Sequence, residues 1–175
     1  AHNTIIDNDQ PDWKYPYLNR RGQMLWQQYG LVAAGLFESQ ADIDSWPTQT
    51  FGEVKPGDIK YIDINGDGKI DTNDEKPIGW AAVPEIVYGF GLSAAWKGLD
   101  CSVFFQGAGH VTLQQSGSAI QAFSARNMME SGVYEDIYYN HWSEDNPNPN
   151  AKYPRLSIGS NKNNFRNSTF WQKDM

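Results

Sequence analysis

Cysteine is almost absent: the 175 residues contain one, Cys101. That excludes an internal disulfide framework and a cysteine-rich metal site, and Cys101, set in an alternating apolar run, reads as a small packing residue. Long hydrophobic runs are also missing. No stretch approaches the roughly eighteen apolar residues that carry a helix across a bilayer. Crossing by strands stays open, because such strands are short and only half apolar. The start, Ala1-His2-Asn3-Thr4, has neither the charged head nor the apolar middle of a secretory signal. Basic residues are in deficit, 14 Lys and Arg against 21 Asp and Glu, for a formal net charge of −7. With no basic run and scattered arginines, a nucleic-acid footprint is excluded. Reactive constellations are missing too. His2, His110 and His141 share no metal spacing, there is no GxSxG motif or phosphate loop, and no carboxylate pair is placed for acid–base work. The chain therefore reads as no enzyme.

Aromatic residues make up 14% of the chain, with seven Trp and nine Tyr, while the apolar share is only 39%. Glycine and asparagine are frequent. That mixture is poor for a helical bundle and suits a β protein with long polar loops, one whose strands face lipid included. The expected fold class is all-β, with minor helix confined to loops.

One loop carries the densest signal. In Asp63-Ile64-Asn65-Gly66-Asp67-Gly68-Lys69-Ile70-Asp71-Thr72-Asn73-Asp74, oxygen-bearing side chains fall at positions 1, 3, 5, 9 and 12, with glycine at 6. Calcium takes six to eight oxygens, and alternate residues of a tightly wound loop can all point at one ion. Asp63, Asn65 and Asp67 supply side-chain oxygens in this reading. Lys69 supplies its backbone carbonyl, Asp71 binds directly or through water, and Asp74 closes the shell. The alternative is an Asn-Gly and Asp-Gly double turn without an ion. Asp74 is shorter than the usual bidentate Glu, with Glu75 next to it. The flanks are also wrong for paired helices: Ile59 to Ile62 reads as a strand, Pro77 and Gly79 stop any helix, and the loop has no second copy. The expected calcium is thus structural, pinning a loop.

The best periodic segment runs from Glu85 to Trp96. Ile86, Tyr88, Phe90, Leu92, Ala94 and Trp96 share one face; Val87, Gly89, Gly91, Ser93 and Ala95 share the other. This length suffices for a tilted strand to cross a bilayer. Lys97-Gly98 makes a tight turn. A second run then places Leu99, Cys101, Val103 and Phe105 opposite Asp100, Ser102, Phe104 and Gln106, so a hairpin is expected. A membrane barrel and a soluble sandwich both fit this alternation.

The expected organisation is an upstream, partly irregular segment (1–56) with a helical turn at Ala41 to Trp46. A strand with the calcium-type loop (57–79) and the hairpin (84–106) follow. A long loop (107–169) holds a helix near 118–131 and a polar, asparagine-rich stretch from Ser157 to Thr169. Residues 170–175 resume apolar character as the start of a strand that looks cut. The loop aromatics Tyr134, Tyr138, Tyr139, Trp142 and Tyr153 have ring faces suited to sugars, but packing is the expected role, and no substrate-binding residue is assigned. His141 is read as packing or solvated.

The segments GDIKYIDINGDGKIDTNDEKPIG (57–79), PEIVYGFGLSAAWKGLDCSVFFQGAG (84–109) and NHWSEDNPNPNAKYPRL (140–156) resemble the C-terminal part of SusC/RagA-type TonB-linked outer-membrane transporters. YGLVAAGLFESQADID (29–44) and the closing STFWQKDM fit the same family, and the likeness extends from about Tyr15 to the end. The resemblance implies a fragment of a large transmembrane β-barrel in the bacterial outer membrane, with antiparallel hairpins and long extracellular loops. The family imports glycans or peptides with energy relayed by the TonB complex, beneath a SusD-like surface lipoprotein. The chain as given lacks the plug, the TonB-contacting segment and the final assembly strand, so it would not transport alone. The rival reading is a soluble calcium-binding adhesion or carbohydrate-binding module.

Overall fold

The computed structural model describes residues 14–117, 120–123, 132–159 and 161–175. The helix expected near 118–131 falls mostly outside them; the described residues 120–123 form a turn. In chain order the elements are β1 (Gln27–Gly30), β2 (Ala33–Leu36), α1 (Gln40–Asp44), β3 (Thr48–Gln49), β4 (Ile59–Tyr61), β5 (Lys69–Ile70), β6 (Lys76–Ala81), β7 (Ile86–Trp96), β8 (Leu99–Gly109), β9 (Thr112–Gln114), α2 (Glu135–Asn140) and β10 (Gln172–Asp174). The fold is mostly strand, and its helices are short. Ser39 caps α1 by accepting from Asp42 N, and Asp42 lies in the first turn, where a carboxylate suits the helix dipole.

Strands pair two by two. β1 runs antiparallel to β6, β2 to β4, β9 to β10 and β7 to β8; β3 and β5 are parallel. The short pairs surround a core of Leu31, Leu36, Phe51, Ile59, Tyr61, Ile70, Trp142 and Trp171. Burying each of these large side chains contributes about 1.5–3 kcal/mol.

The 157–169 stretch, polar by composition, is not simply a solvated loop. Asn163 and Asn164 are each 1% exposed. β4 bonds to β2 on one edge, and its other edge is closed by side-chain amides. Asn164 Oδ1 accepts from Ile59 N (2.9 Å), while Asn163 Nδ2 and Gln49 Nε2 donate to Ile59 O (3.0 and 3.1 Å). Gln49 Oε1 accepts from Tyr61 N (2.7 Å). Three amides thus stand in for a neighbouring strand and leave these buried backbone groups paired. Asp58, fully buried, anchors the same region through Arg155, whose Nε lies 2.7 Å from Oδ1, and through the Asn161 and Asn164 amides.

The long hairpin stands apart from this core. Every residue of β7 is exposed, and so is nearly all of β8.

Candidate functional site

The hairpin is built by the alternation of its sequence. β7 and β8 have eleven residues each and pair in unbroken register from Trp96↔Leu99 to Ile86↔Gly109. Lys97 and Gly98 both adopt positive φ (47° and 84°), as a two-residue turn matched to strand twist requires. One face carries Ile86, Tyr88, Phe90, Leu92, Ala94 and Trp96 beside Leu99, Cys101, Val103 and Phe105, without a single charge or amide. Phe90 and Phe105, directly opposite, stack with centroids 4.9 Å apart. Tyr88 lies over Gly107, where a Cβ would collide with its ring. On the other face Phe104 lies across Gly89 and Gly91, and Ser93 pairs with Ser102 and Ala95 with Asp100.

Eleven residues rise about 36 Å, so a tilt near 45° spans roughly 25 Å, the height of the apolar band of an outer-membrane barrel. The apolar face lies bare to its surroundings: Leu92, Trp96 and Leu99 are 70%, 69% and 68% exposed. A contiguous apolar sheet face of this kind needs a covering phase. In a soluble sandwich it would be buried against a second sheet; here no such sheet covers it among the described residues. Those residues contain no helix long and apolar enough to cross a membrane.

At the root of the hairpin, His110 Nδ1 lies 3.0 Å from Glu85 Oε2, and its ring stacks on Trp80 at 4.0 Å. His141 Nδ1 sits against the carbonyls of Ile137 and Tyr138. The loop aromatics separate: Trp142 is buried and Tyr153 half-buried, whereas Tyr134, Tyr138 and Tyr139 are exposed.

The Asp63–Asp74 loop is wound by carboxylate-to-amide bonds. Asp63 accepts from Gly66 N and Gly68 N (2.7 and 2.8 Å), Asn65 from Asp67 N (2.9 Å), and Asp67 from Lys69 N (2.9 Å). Gly66 and Gly68 supply the left-handed φ values of 74° and 82° that this winding needs. Asp71 accepts from Asn73 N and forms a reciprocal capping box with Asp74 around a 3₁₀ turn at Thr72–Asp74. Asp74 is fully buried and accepts from Ile64 N, Asn65 N and Asp71 N (2.9, 3.2 and 2.9 Å). Lys69 begins β5 with its side chain exposed. Tyr17 Oη donates to Asn73 O (2.7 Å) and closes one side; burial first, then the nearby Asp74, Asp63 and Asp67 charges, push its phenol above the usual range.

The structure thus gathers Asp63, Asn65 and Asp67 on one turn and sets Asp74 behind it, against backbone amides. The donor chemistry suits a hard cation, since a carboxylate oxygen accepting one amide keeps a second lone pair. Among the described residues, however, no three His, Cys, Asp or Glu side chains converge as a ready ligand set. Sequence reasoning missed the Asp58–Arg155–Asn164 knot. Its only signal is the asparagine run itself, and the partners lie about a hundred residues apart.

No protein-family model matches the chain. Two TonB-dependent receptors of Formosa agariphila are similar. One is 37% identical over 78 residues, covering 45% of this chain and 8% of the receptor. The other is 29% identical over 142 residues, covering 78% of this chain and 13% of the receptor. Among solved structures, the RagAB peptide importer in its open-open state superposes with a TM-score of 0.55 at 16% identity, over 93% of this chain and 16% of that chain. The chain therefore spans about a tenth of the length of these curated relatives. The receptors matching in sequence and the importer in fold agree with the resemblance to SusC/RagA-type TonB-dependent transporters, and over its length the chain is similar to one segment of such a β-barrel protein.

Proposed function

We propose that this segment supplies a lipid-facing hairpin and part of the extramembrane surface of an outer-membrane nutrient importer. Its role is structural and transport-related, not catalytic. The observation that carries the reading is the wholly apolar, exposed face of β7 and β8, backed by a mixed face on which Asp100, Ser93, Ser102 and Gln106 stand beside glycine, Val87 and Phe104. The full protein would take up oligosaccharides or peptides, working with the TonB complex and a SusD-like surface lipoprotein. The solved neighbour of similar fold, the RagAB peptide importer, bears on the peptide half of that pair.

Cys101 makes the test direct, because it is exposed on the apolar face. A nitroxide attached there in the intact protein, in native outer membranes, should relax with dissolved oxygen and ignore a water-soluble nickel chelate. A label at Asp100→Cys in a Cys101→Ser background should show the reverse. Equal access of both labels to the chelate would refute a lipid-facing hairpin.

The loop is proposed to hold one structural calcium. Asp63, Asn65, Asp67 and Asp71 would offer side-chain oxygens and Lys69 its carbonyl. Asp74 would shape the loop by gathering three amides and would draw on the one lone pair left on Oδ2 to close the shell. Binding would neutralise a cluster of four carboxylates, so calorimetry with calcium alone tests it.

A further inference from the structure

We propose that a groove floored by Phe51 and walled by Lys55, Arg155 and Lys162 binds the carboxylate groups of an acidic ligand. The groove encloses about 490 Å³, within the size range of small-molecule sites. It lies on the core side of the molecule, away from the hairpin, and does not depend on the membrane reading.

The charge is unexpected. The chain carries a net −7, yet this one groove gathers three of its 14 basic residues. Against them stand Glu53 at the rim and Asp58 behind Arg155, which leaves the groove net positive. The Lys55–Glu53 pair is 3.5 Å apart with side chains 53% and 78% exposed, a surface contact too weak to commit the lysine.

Arg155 is the built part of the site. Its Nε lies 2.7 Å from Asp58 Oδ1, and Nη2 donates to Oδ2 (3.2 Å). Asp58 is fully buried and is itself fixed by Asn161 Nδ2, Asn164 Nδ2 and Lys55 N (3.0, 2.9 and 2.9 Å). The guanidinium is therefore held in one orientation before any ligand arrives, and a guanidinium has five donors, of which this carboxylate engages one edge. Little side-chain entropy is lost on binding, which favours affinity.

Neutral hydroxyls would find little here. Asn161 accepts from Asn163 N and Asn164 N and donates to Asp58. Asn163 accepts from Gln49 and donates to Ile59 O. With both lining amides spent inside the protein, the groove offers charge and the single hydroxyl of Ser157 together with the apolar carbon of Phe51, Leu156 and Ile158.

The test is calorimetric titration of the intact protein at 20 and 300 mM NaCl. The probes are triglutamate and trigalacturonate, each against its uncharged twin, triglutamine or trigalactose. The proposal expects at least one acid to bind tenfold or more tighter than its twin, and to weaken with salt. Preference for triglutamate assigns the carboxylates to peptides, and preference for trigalacturonate assigns them to uronic sugars. Lys55→Gln with Lys162→Gln, both with exposed side chains and with Lys55 bonded to Asp58 only through its backbone N, should lower acid affinity about three- to tenfold with an unchanged circular dichroism spectrum and melting temperature. Equal binding of acid and twin, no acid binding at millimolar concentration, or full affinity in the double variant would each overturn it.

Discussion

Leu92 and Ser93 are neighbours in sequence, at the same depth along β7, and they face opposite sides of the hairpin. An arginine at either position has the same backbone, the same strand and nearly the same distance from the turn. Only the phase it meets differs. Leu92 is paired with Val103 on the apolar face and sits next to the strand's midpoint, so an arginine there would lie near the bilayer midplane, where it costs about 2–4 kcal/mol. Ser93 is paired with Ser102 on the opposite face, where a charge reaches water or protein polar groups and costs about 0.5 kcal/mol or less, as surface substitutions usually do. Leu92→Arg should therefore lower the folded-to-unfolded ratio by about 30-fold or more, at 1.4 kcal/mol per factor of ten. Ser93→Arg should lower it by no more than about two- to threefold. Reversible urea unfolding of the intact protein in lipid vesicles, followed by tryptophan fluorescence, reads both. Equal losses, or a larger loss for Ser93→Arg, would show that the apolar face does not meet lipid.

Three further outcomes follow from the rest of the chain. Asp63→Ala with Asp67→Ala should abolish calcium binding in calorimetry and leave the strand signal in circular dichroism intact; unchanged affinity would remove the ion from this loop. Gly57→Ala should destabilise the intact protein by roughly 3 kcal/mol in chemical unfolding, because φ is +84° and the new Cβ would fall on the Trp142 ring; a loss under about 1 kcal/mol would contradict that packing. Burial holds the Tyr61 phenol well above its ordinary range, so the folded state keeps a proton that the unfolded chain releases near pH 10. Stability should then be flat in this respect below pH 10 and fall by about 1.4 kcal/mol per unit above it, and Tyr61→Phe should remove that part of the slope.

How far the sequence foretells this molecule depends on the range of the interactions. The hairpin is legible because its determinant is local: period-two alternation over two runs with Lys97-Gly98 between them fixes pairing, register and faces together. The winding of the 63–74 loop is legible for the same reason, since each Asx side chain bonds an amide two to five residues on. Asn163 and Asn164 are not legible. Composition makes them solvent-exposed, and only contact with Ile59 and Asp58, about a hundred residues upstream, turns them into buried amides closing a strand edge. Arg155 is hidden similarly, as its partner Asp58 lies 97 residues away. Among the aromatics, sequence gives no means of separating buried Trp142 from exposed Tyr138 and Tyr139, because all belong to one run around α2.

The two parts of the molecule, an exposed hairpin and a compact core, have opposite solvent requirements, and their junction must hold both. It is polar and short. Thr112 Oγ1 accepts from Trp80 N (2.6 Å) and donates to Asp174, so one hydroxyl joins β6, β9 and β10. Val111 and Met175 exchange both backbone bonds (3.1 and 3.0 Å), extending the β9–β10 pair toward the hairpin root. There the Trp80–His110 stack and the His110–Glu85 contact close the opposite side. At Gly79, φ is +55° and a Cβ would strike the side chains of Gln172, Thr112 and Asp174, so polar side chains already fill the space a larger residue would need. A hinge would show the reverse: few bonds, open glycines and a solvated backbone. The root of the hairpin is therefore a rigid joint, and under the proposed lipid-facing reading the angle between core and membrane would be set by these few residues and not by the lipid.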